Sequence, residues 1–208
     1  MRSLYFLTSF VLLLLISTQS HSYGYVASSK KSGYLEIGFG ATQFEFTDKY
    51  LADYEIAPSP SIKLVYGGRI GRSQFTWFEF NYTYNGAFKT EDSTTVNDEV
   101  NTFRSQSIAM GLKLTTAPFK KASAYARLGA GRIMLEEREE SFTSNTSNLI
   151  SNEYNTTLSN HAYLGLGANF SISRNARLGI EAQQMQYKIQ EISLADTTVM
   201  LTFTRYLK

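Results

Sequence analysis

Residues 77–84 read Trp77-Phe78-Glu79-Phe80-Asn81-Tyr82-Thr83-Tyr84. In an extended chain Phe78, Phe80, Tyr82 and Tyr84 share one face and Trp77, Glu79, Asn81 and Thr83 share the other, because successive strand side chains point to opposite sides. A helix would scatter both sets around its circumference. One face is wholly aromatic, while the other carries a carboxylate and an amide. A strand with that contrast separates two environments of different polarity.

Seven further runs repeat the pattern. Over residues 34–46, Leu35, Ile37, Phe39 and Ala41 oppose Glu36, Gly38, Gly40 and Thr42; over residues 61–67, Ile62, Leu64 and Tyr66 oppose Lys63 and Val65. Ile108, Met110, Leu112 and Leu114 oppose Ser107, Ala109, Gly111 and Lys113, and Ala124, Ala126, Leu128 and Ala130 oppose Tyr125, Arg127, Gly129 and Gly131. Ala162, Leu164, Leu166 and Ala168 then oppose Tyr163, Gly165, Gly167 and Asn169. The last two runs set Leu178, Ile180 and Ala182 against Gly179, Glu181 and Gln183, and Val199, Leu201 and Phe203 against Thr198, Met200 and Thr202. Apolar-out and polar-in alternation over many short strands is the pattern of a transmembrane β-barrel, and eight is a small even strand number suited to one. The expected fold is all-β: an eight-stranded antiparallel up-and-down transmembrane barrel.

Residues 1–22 read as a cleavable signal peptide, with Arg2 at its positive end, an apolar core from Leu4 to Ile16, and small Ser20 and Ser22 before the cut. The apolar core falls short of the roughly 20 residues a spanning helix needs. Residues 23–32 then form a short periplasmic segment and residues 33–208 the barrel, a single domain. The chain has no Cys, which removes disulfides, thiolate metal sites and a Cys nucleophile. Its 14 Tyr, 14 Phe and 14 Gly against 3 Pro suit strands, aromatic girdles and close backbone approach.

The connections alternate in length. Those after the second, fourth and sixth strands are turn-like, running from Gly67 to Arg72, from Ala117 to Lys120 and from Ser173 to Asn175; residues 47–60, 85–102 and 136–160 read as long loops. Charge sorts with length. The acidic residues Asp48, Asp53, Glu55, Glu91, Asp92, Asp98, Glu99, Glu136, Glu137, Glu139, Glu140, Glu153, Glu191 and Asp196 fall in or beside the loops. Arg69, Arg72, Lys120, Lys121, Arg174, Arg177, Arg205 and Lys208 fall at the turn end. Short turns and both termini belong in the periplasm and long loops outside.

Glu36, Lys63, Glu79, Arg127 and Glu181 have inward parity and lie at similar heights, with Lys113 nearer the turn end. Together they predict a structural ionic layer across the lumen. A barrel of this strand number is just wide enough for side chains to fill it. A gate or proton relay is the alternative use of such a layer. An activated Ser would need a His, and beyond the leader only His161 remains, with Ser159 two residues before it. The spacing does not match a deacylase, so no catalytic residue is assigned and His161 reads as a solvated residue near the outer rim. Gly38-Phe39-Gly40 and Gly165-Leu166-Gly167 sit within strands and read as inward space rather than nucleotide loops. The acidic clusters Glu91-Asp92 and Glu136 to Glu140 lack the spacing of a calcium loop. No metal, cofactor or nucleic-acid partner is expected.

The run Ala124-Tyr125-Ala126-Arg127-Leu128-Gly129-Ala130-Gly131 and the run Tyr163-Leu164-Gly165-Leu166-Gly167-Ala168 resemble the glycine-bearing strands of OmpA-like small outer-membrane β-barrel domains. Phe78-Glu79-Phe80-Asn81-Tyr82 after a Gly-Arg turn is similar to their third strand, and the single-domain form more loosely resembles accessory colonisation factor A-like proteins. The resemblance covers residues 33–207. It implies a monomeric integral protein of a Gram-negative outer membrane, with a structural, adhesive or colonisation-related role. Its partners would be outer-membrane lipids, the barrel-assembly machinery and a surface partner met through the outer loops. The last residues, Phe203-Thr204-Arg205-Tyr206-Leu207-Lys208, depart from the terminal aromatic of the assembly signal, for which Phe203 and Tyr206 are the nearest substitutes. The expected function is non-enzymatic; the alternatives are a narrow channel or ligand-carrying barrel and, further off, a lipid A-modifying enzyme.

Overall fold

A computed structural model describes residues 31–46, 58–71, 73, 75–93, 97–143, 149–189 and 192–207. The signal peptide expected over residues 1–22 and all but the end of the 23–32 segment lie outside the described residues. Eight strands follow in order: β1 Gly33–Phe46, β2 Ser59–Arg69, β3 Thr76–Ser93, β4 Asn97–Thr115, β5 Ala122–Thr143, β6 Leu149–Ser171, β7 Ala176–Ile189 and β8 Ile192–Leu207. Each pairs antiparallel with its sequence neighbours, and β8 closes on β1 through pairs from Gly33↔Leu207 to Phe46↔Leu194. The expected eight-stranded up-and-down barrel is what the chain forms. Closure leaves no sheet edge within the wall, which a membrane requires of a strand protein.

The parity read from the sequence is the parity of the barrel. Leu35, Phe39, Leu64, Phe80, Ile108 and Leu201 are exposed on the outer surface, while Glu36, Lys63, Glu79 and Arg127 are buried within. An uninterrupted apolar outer surface of this kind would be untenable in water and is stable against acyl chains.

Two of the three long loops are corrected. Most of residues 85–102 and 136–160 are strand: β3 continues to Ser93, β4 starts at Asn97, β5 runs to Thr143 and β6 starts at Leu149. The register of β4 and β5 is unbroken from Thr115↔Tyr125 to Asn97↔Thr143. These segments are polar on both faces, so no hydrophobic period marks them; backbone pairing alone extends the ladder. A bulge between Asn85 and Phe88 marks where β3 leaves the barrel wall. β3 to β6 therefore stand taller than β7, β8, β1 and β2. Of the third loop, residues 47–57 lie outside the described residues. The three turns at the other end are short, as expected.

Candidate functional site: the filled lumen

The lumen is stacked in layers, each placed by inward positions at matching heights. At the end carrying the short turns, Tyr34, Val65, Trp77 and Tyr206 form an aromatic layer, with the Tyr34 ring 5.3 Å from Trp77 at an edge-on angle of 75° and 5.8 Å from Tyr206. Tyr206 is thus turned into the barrel, whereas Phe203 faces outward.

Above it lie the six residues Glu36, Lys63, Glu79, Lys113, Arg127 and Glu181, all with side chains 0–1% exposed. Arg127 is the hub. Its Nη2 donates to Glu36 Oε1 at 2.6 Å, its Nη1 to Glu181 Oε2 at 2.5 Å, and its Nε lies 3.2 Å from Glu79 Oε2. The lysines complete the outer valences: Lys63 Nζ donates to Glu181 Oε1 at 2.5 Å and Gln183 Oε1 at 2.6 Å, and Lys113 Nζ donates to Glu36 Oε2 at 3.1 Å. Thr204 donates to Glu36 at 2.9 Å and Tyr125 to Glu181 at 2.8 Å. Three cations meet three carboxylates, so the layer is neutral as a whole. Buried charges require this matching, because a lone one is strongly destabilising. Glu79 is the least satisfied member, with neither oxygen in a well-aligned hydrogen bond.

Glycines set the space for this layer. Gly165 and Gly167 lie on β6 between the Arg127 and Glu181 strands, through the pairs Arg127↔Gly165 and Gly167↔Glu181. A Cβ on Gly167 would collide with the hydroxyl end of the Tyr125 ring, the end that reaches Glu181. Tyr163 likewise lies over Gly111 and Gly129, and Asn81 Nδ2 donates to its hydroxyl at 2.5 Å.

A second polar cluster sits nearer the tall end, and the sequence reading missed it. Asp196, placed by that reading beside an outer loop, is 0% exposed and inside the barrel. It accepts from Tyr187 at 2.8 Å, and Asn85 Nδ2 lies 3.5 Å from its other oxygen. Asn85 also donates to Ser105 at 3.1 Å and accepts from Thr42 at 3.0 Å. The missed signal was parity: Asp196 shares its face with Thr198 and Met200.

His161 is corrected in the same sense. It does not sit solvated at the rim; it is buried against Tyr163, and neither ring nitrogen has a hydrogen-bond partner. Ser159 Oγ donates to the Lys188 carbonyl instead of to His161. The pair is not assembled as nucleophile and base. Among the described residues no group of His, Cys, Asp and Glu is arranged to hold a metal ion.

Comparison with known proteins agrees with this architecture. The family model described as outer membrane protein beta-barrel domain matches residues 8–204. Neisserial surface protein A is similar in structure with a TM-score of 0.55 at 13% identity, covering 84% of this chain and 97% of its own. The outer membrane protease OmpT of Escherichia coli gives 0.51 at 6% identity, covering 89% and 100%. Ail, the attachment invasion locus protein of Yersinia pestis, gives 0.48 at 17% identity, covering 83% and 99%. At these identities the likeness to the first two is one of fold. A sequence comparison with curated proteins finds no match. With the apolar outer belt, the closed strand order and a family match over nearly its whole length, this chain belongs to the outer membrane protein beta-barrel domain family and resides in the Gram-negative outer membrane.

Proposed function

We propose that the protein is a non-enzymatic surface-interaction barrel: its lumen is a structural plug, and its contact with the exterior is made by the sheet that β3 to β6 raise beyond the wall. Both termini and the short turns then face the periplasm. The observation that carries the reading is the pairing of β6. Among the described residues it meets β7 only from His161 to Ser171, while residues 149–160 pair with β5 alone. Among the described residues, one side of that segment leaves its backbone donors and acceptors unpaired, an edge that an extended segment of a partner protein can extend. Tyr154 and Leu158 stand on its outward face 66% and 64% exposed, with Arg138 over the Tyr154 ring at 5.7 Å. An apolar pair on an otherwise polar wall is suited to contact rather than to solvation.

The filled lumen argues against transport. The aromatic, ionic and upper polar layers leave the lumen occupied by side chains at three heights, and an eight-stranded barrel has no further width. Two measurements test the reading together. Planar bilayers should show no stable conductance from the parent barrel. Cells displaying it should adhere to an extracellular-matrix surface and lose adherence when residues 139–152 are replaced by a short turn. Steady conductance, or unchanged adherence in the shortened variant, would sink the proposal.

A further inference from the structure

Between the aromatic layer and the short turns lies a cavity of about 350 Å³ whose wall includes Lys31, Arg69, Lys120, Lys121, Arg174 and Arg177. Among the described residues no carboxylate lines it. The ammonium of Lys31 lies 4.0 Å from the centroid of the Tyr206 ring, and the Arg177 guanidinium lies 5.0 Å from the same ring. Two cations therefore share one aromatic ring. Arg177 donates to Ser123 at 3.3 Å, and among the described residues neither it nor Lys31, Lys120, Lys121 or Arg174 has a carboxylate partner. The contrast with the ionic layer is direct: there each cation faces a carboxylate, whereas here, among the described residues, Lys31, Lys120, Lys121, Arg174 and Arg177 face none.

We propose that this basin is an anion site that takes a phosphate group. Guanidinium groups bind phosphate through paired hydrogen bonds, and several cations around one cavity suit an anion of more than one charge better than a single carboxylate. Thr116, Ser171 and Ser173 line the same space and bring hydroxyl groups able to donate, while the Thr115 hydroxyl already donates to the Phe75 carbonyl. The site is blind, because Trp77 and Tyr206 close its floor, so it holds a ligand rather than passing one. Burial, and then the facing Arg177, push the Lys31 ammonium below the ordinary lysine value, as expected where positive charge lacks a counterion. Lys120 adopts a left-handed conformation, φ 56°, which a lysine holds only against backbone strain. Glycine would relieve that strain while removing one cation from the basin.

The phosphate could come from a soluble phosphorylated compound or from a lipid headgroup of the inner leaflet, and two arms separate them. Trp77, the chain's single tryptophan, lies in the basin wall and reports occupancy by its fluorescence. In the first arm the full chain, folded in phosphatidylcholine bilayers, is titrated with inorganic pyrophosphate. In the second it is folded with added phosphatidylglycerol, and the lipid retained is counted by native mass spectrometry. Saturable binding in the first arm assigns a soluble phosphate compound; retention in the second alone assigns a headgroup. In either case the double variant Arg174→Gln/Arg177→Gln should weaken binding by about tenfold or more. Lys120→Gly should weaken it less, while keeping the heat-shifted gel mobility of a folded barrel. No binding in either arm, or equal binding by parent and both variants, overturns the proposal. Should the double variant fail to fold, Lys120→Gly and Lys121→Gln, both on an exposed turn, decide it by the same comparison.

Discussion

Replacing Arg127 with Met removes the hub of the ionic layer while keeping most of its volume. Three carboxylates, Glu36, Glu79 and Glu181, would then face only Lys63 and Lys113. Neutrality inside the barrel can be restored by one proton. A glutamate in water loses its proton near pH 4.3, so keeping one protonated at neutral pH costs about 4 kcal/mol at about 1.4 kcal/mol per pH unit. That figure agrees with the roughly 3–5 kcal/mol lost when a buried pair is broken from one side. It is a large share of a typical stability of about 5–15 kcal/mol. Because the folded variant binds one more proton than its unfolded chain, its deficit should shrink as pH falls from about 7 toward about 5. Urea unfolding in lipid vesicles, followed by Trp77 fluorescence and by gel mobility before and after boiling, reads both effects. A loss under about 1 kcal/mol would refute the hub role, because a broken buried pair should cost several times that. A deficit that did not change with pH would refute the charge accounting.

Further outcomes follow from the same geometry. Lys113→Met should cost less than Arg127→Met, because Glu36 keeps its bonds to Arg127 and Thr204; the same unfolding assay gives the order. Gly167→Val should displace the Tyr125 ring from Glu181 and destabilise by about 1–3 kcal/mol, with smaller side chains costing less. His161→Phe should be neutral or slightly stabilising, since it removes two buried nitrogens that have no partner, and should leave lipid A acyl chains unchanged by mass spectrometry. Lys120→Gly should stabilise by about 1 kcal/mol, read as a raised urea midpoint.

The strands within the membrane were legible because hydrocarbon on one side and a packed lumen on the other impose opposite demands on alternate residues. Phe78 and Glu79 could not exchange places. That contrast ends where the wall leaves the bilayer, so Glu136 to Glu140 and the Ser, Thr and Asn run after them look like loop although β5 and β6 pair through most of them. Asp196 and His161 show the same limit from within. Both carry inward parity, yet each lies near the tall end, where an ionisable group reads as solvated until the neighbouring strands are known to enclose it. Tyr187 reaches Asp196 across the β7–β8 hairpin, but Asn85 comes from β3, 111 residues away, and no local spacing announces it. The hub role of Arg127 likewise emerges only when β1, β3 and β7 are brought around β5.

The unequal strand lengths give the molecule a bearing within the membrane plane. A barrel with level rims looks alike from every lateral direction, but here one semicircle rises and the other stays low. Among the described residues, the strands on one side of the barrel run 18–23 residues and those on the other 11–16. Rotation of the barrel about its own axis therefore changes which height of wall faces a given lateral direction, so the molecule has a front and a back within the plane of the membrane.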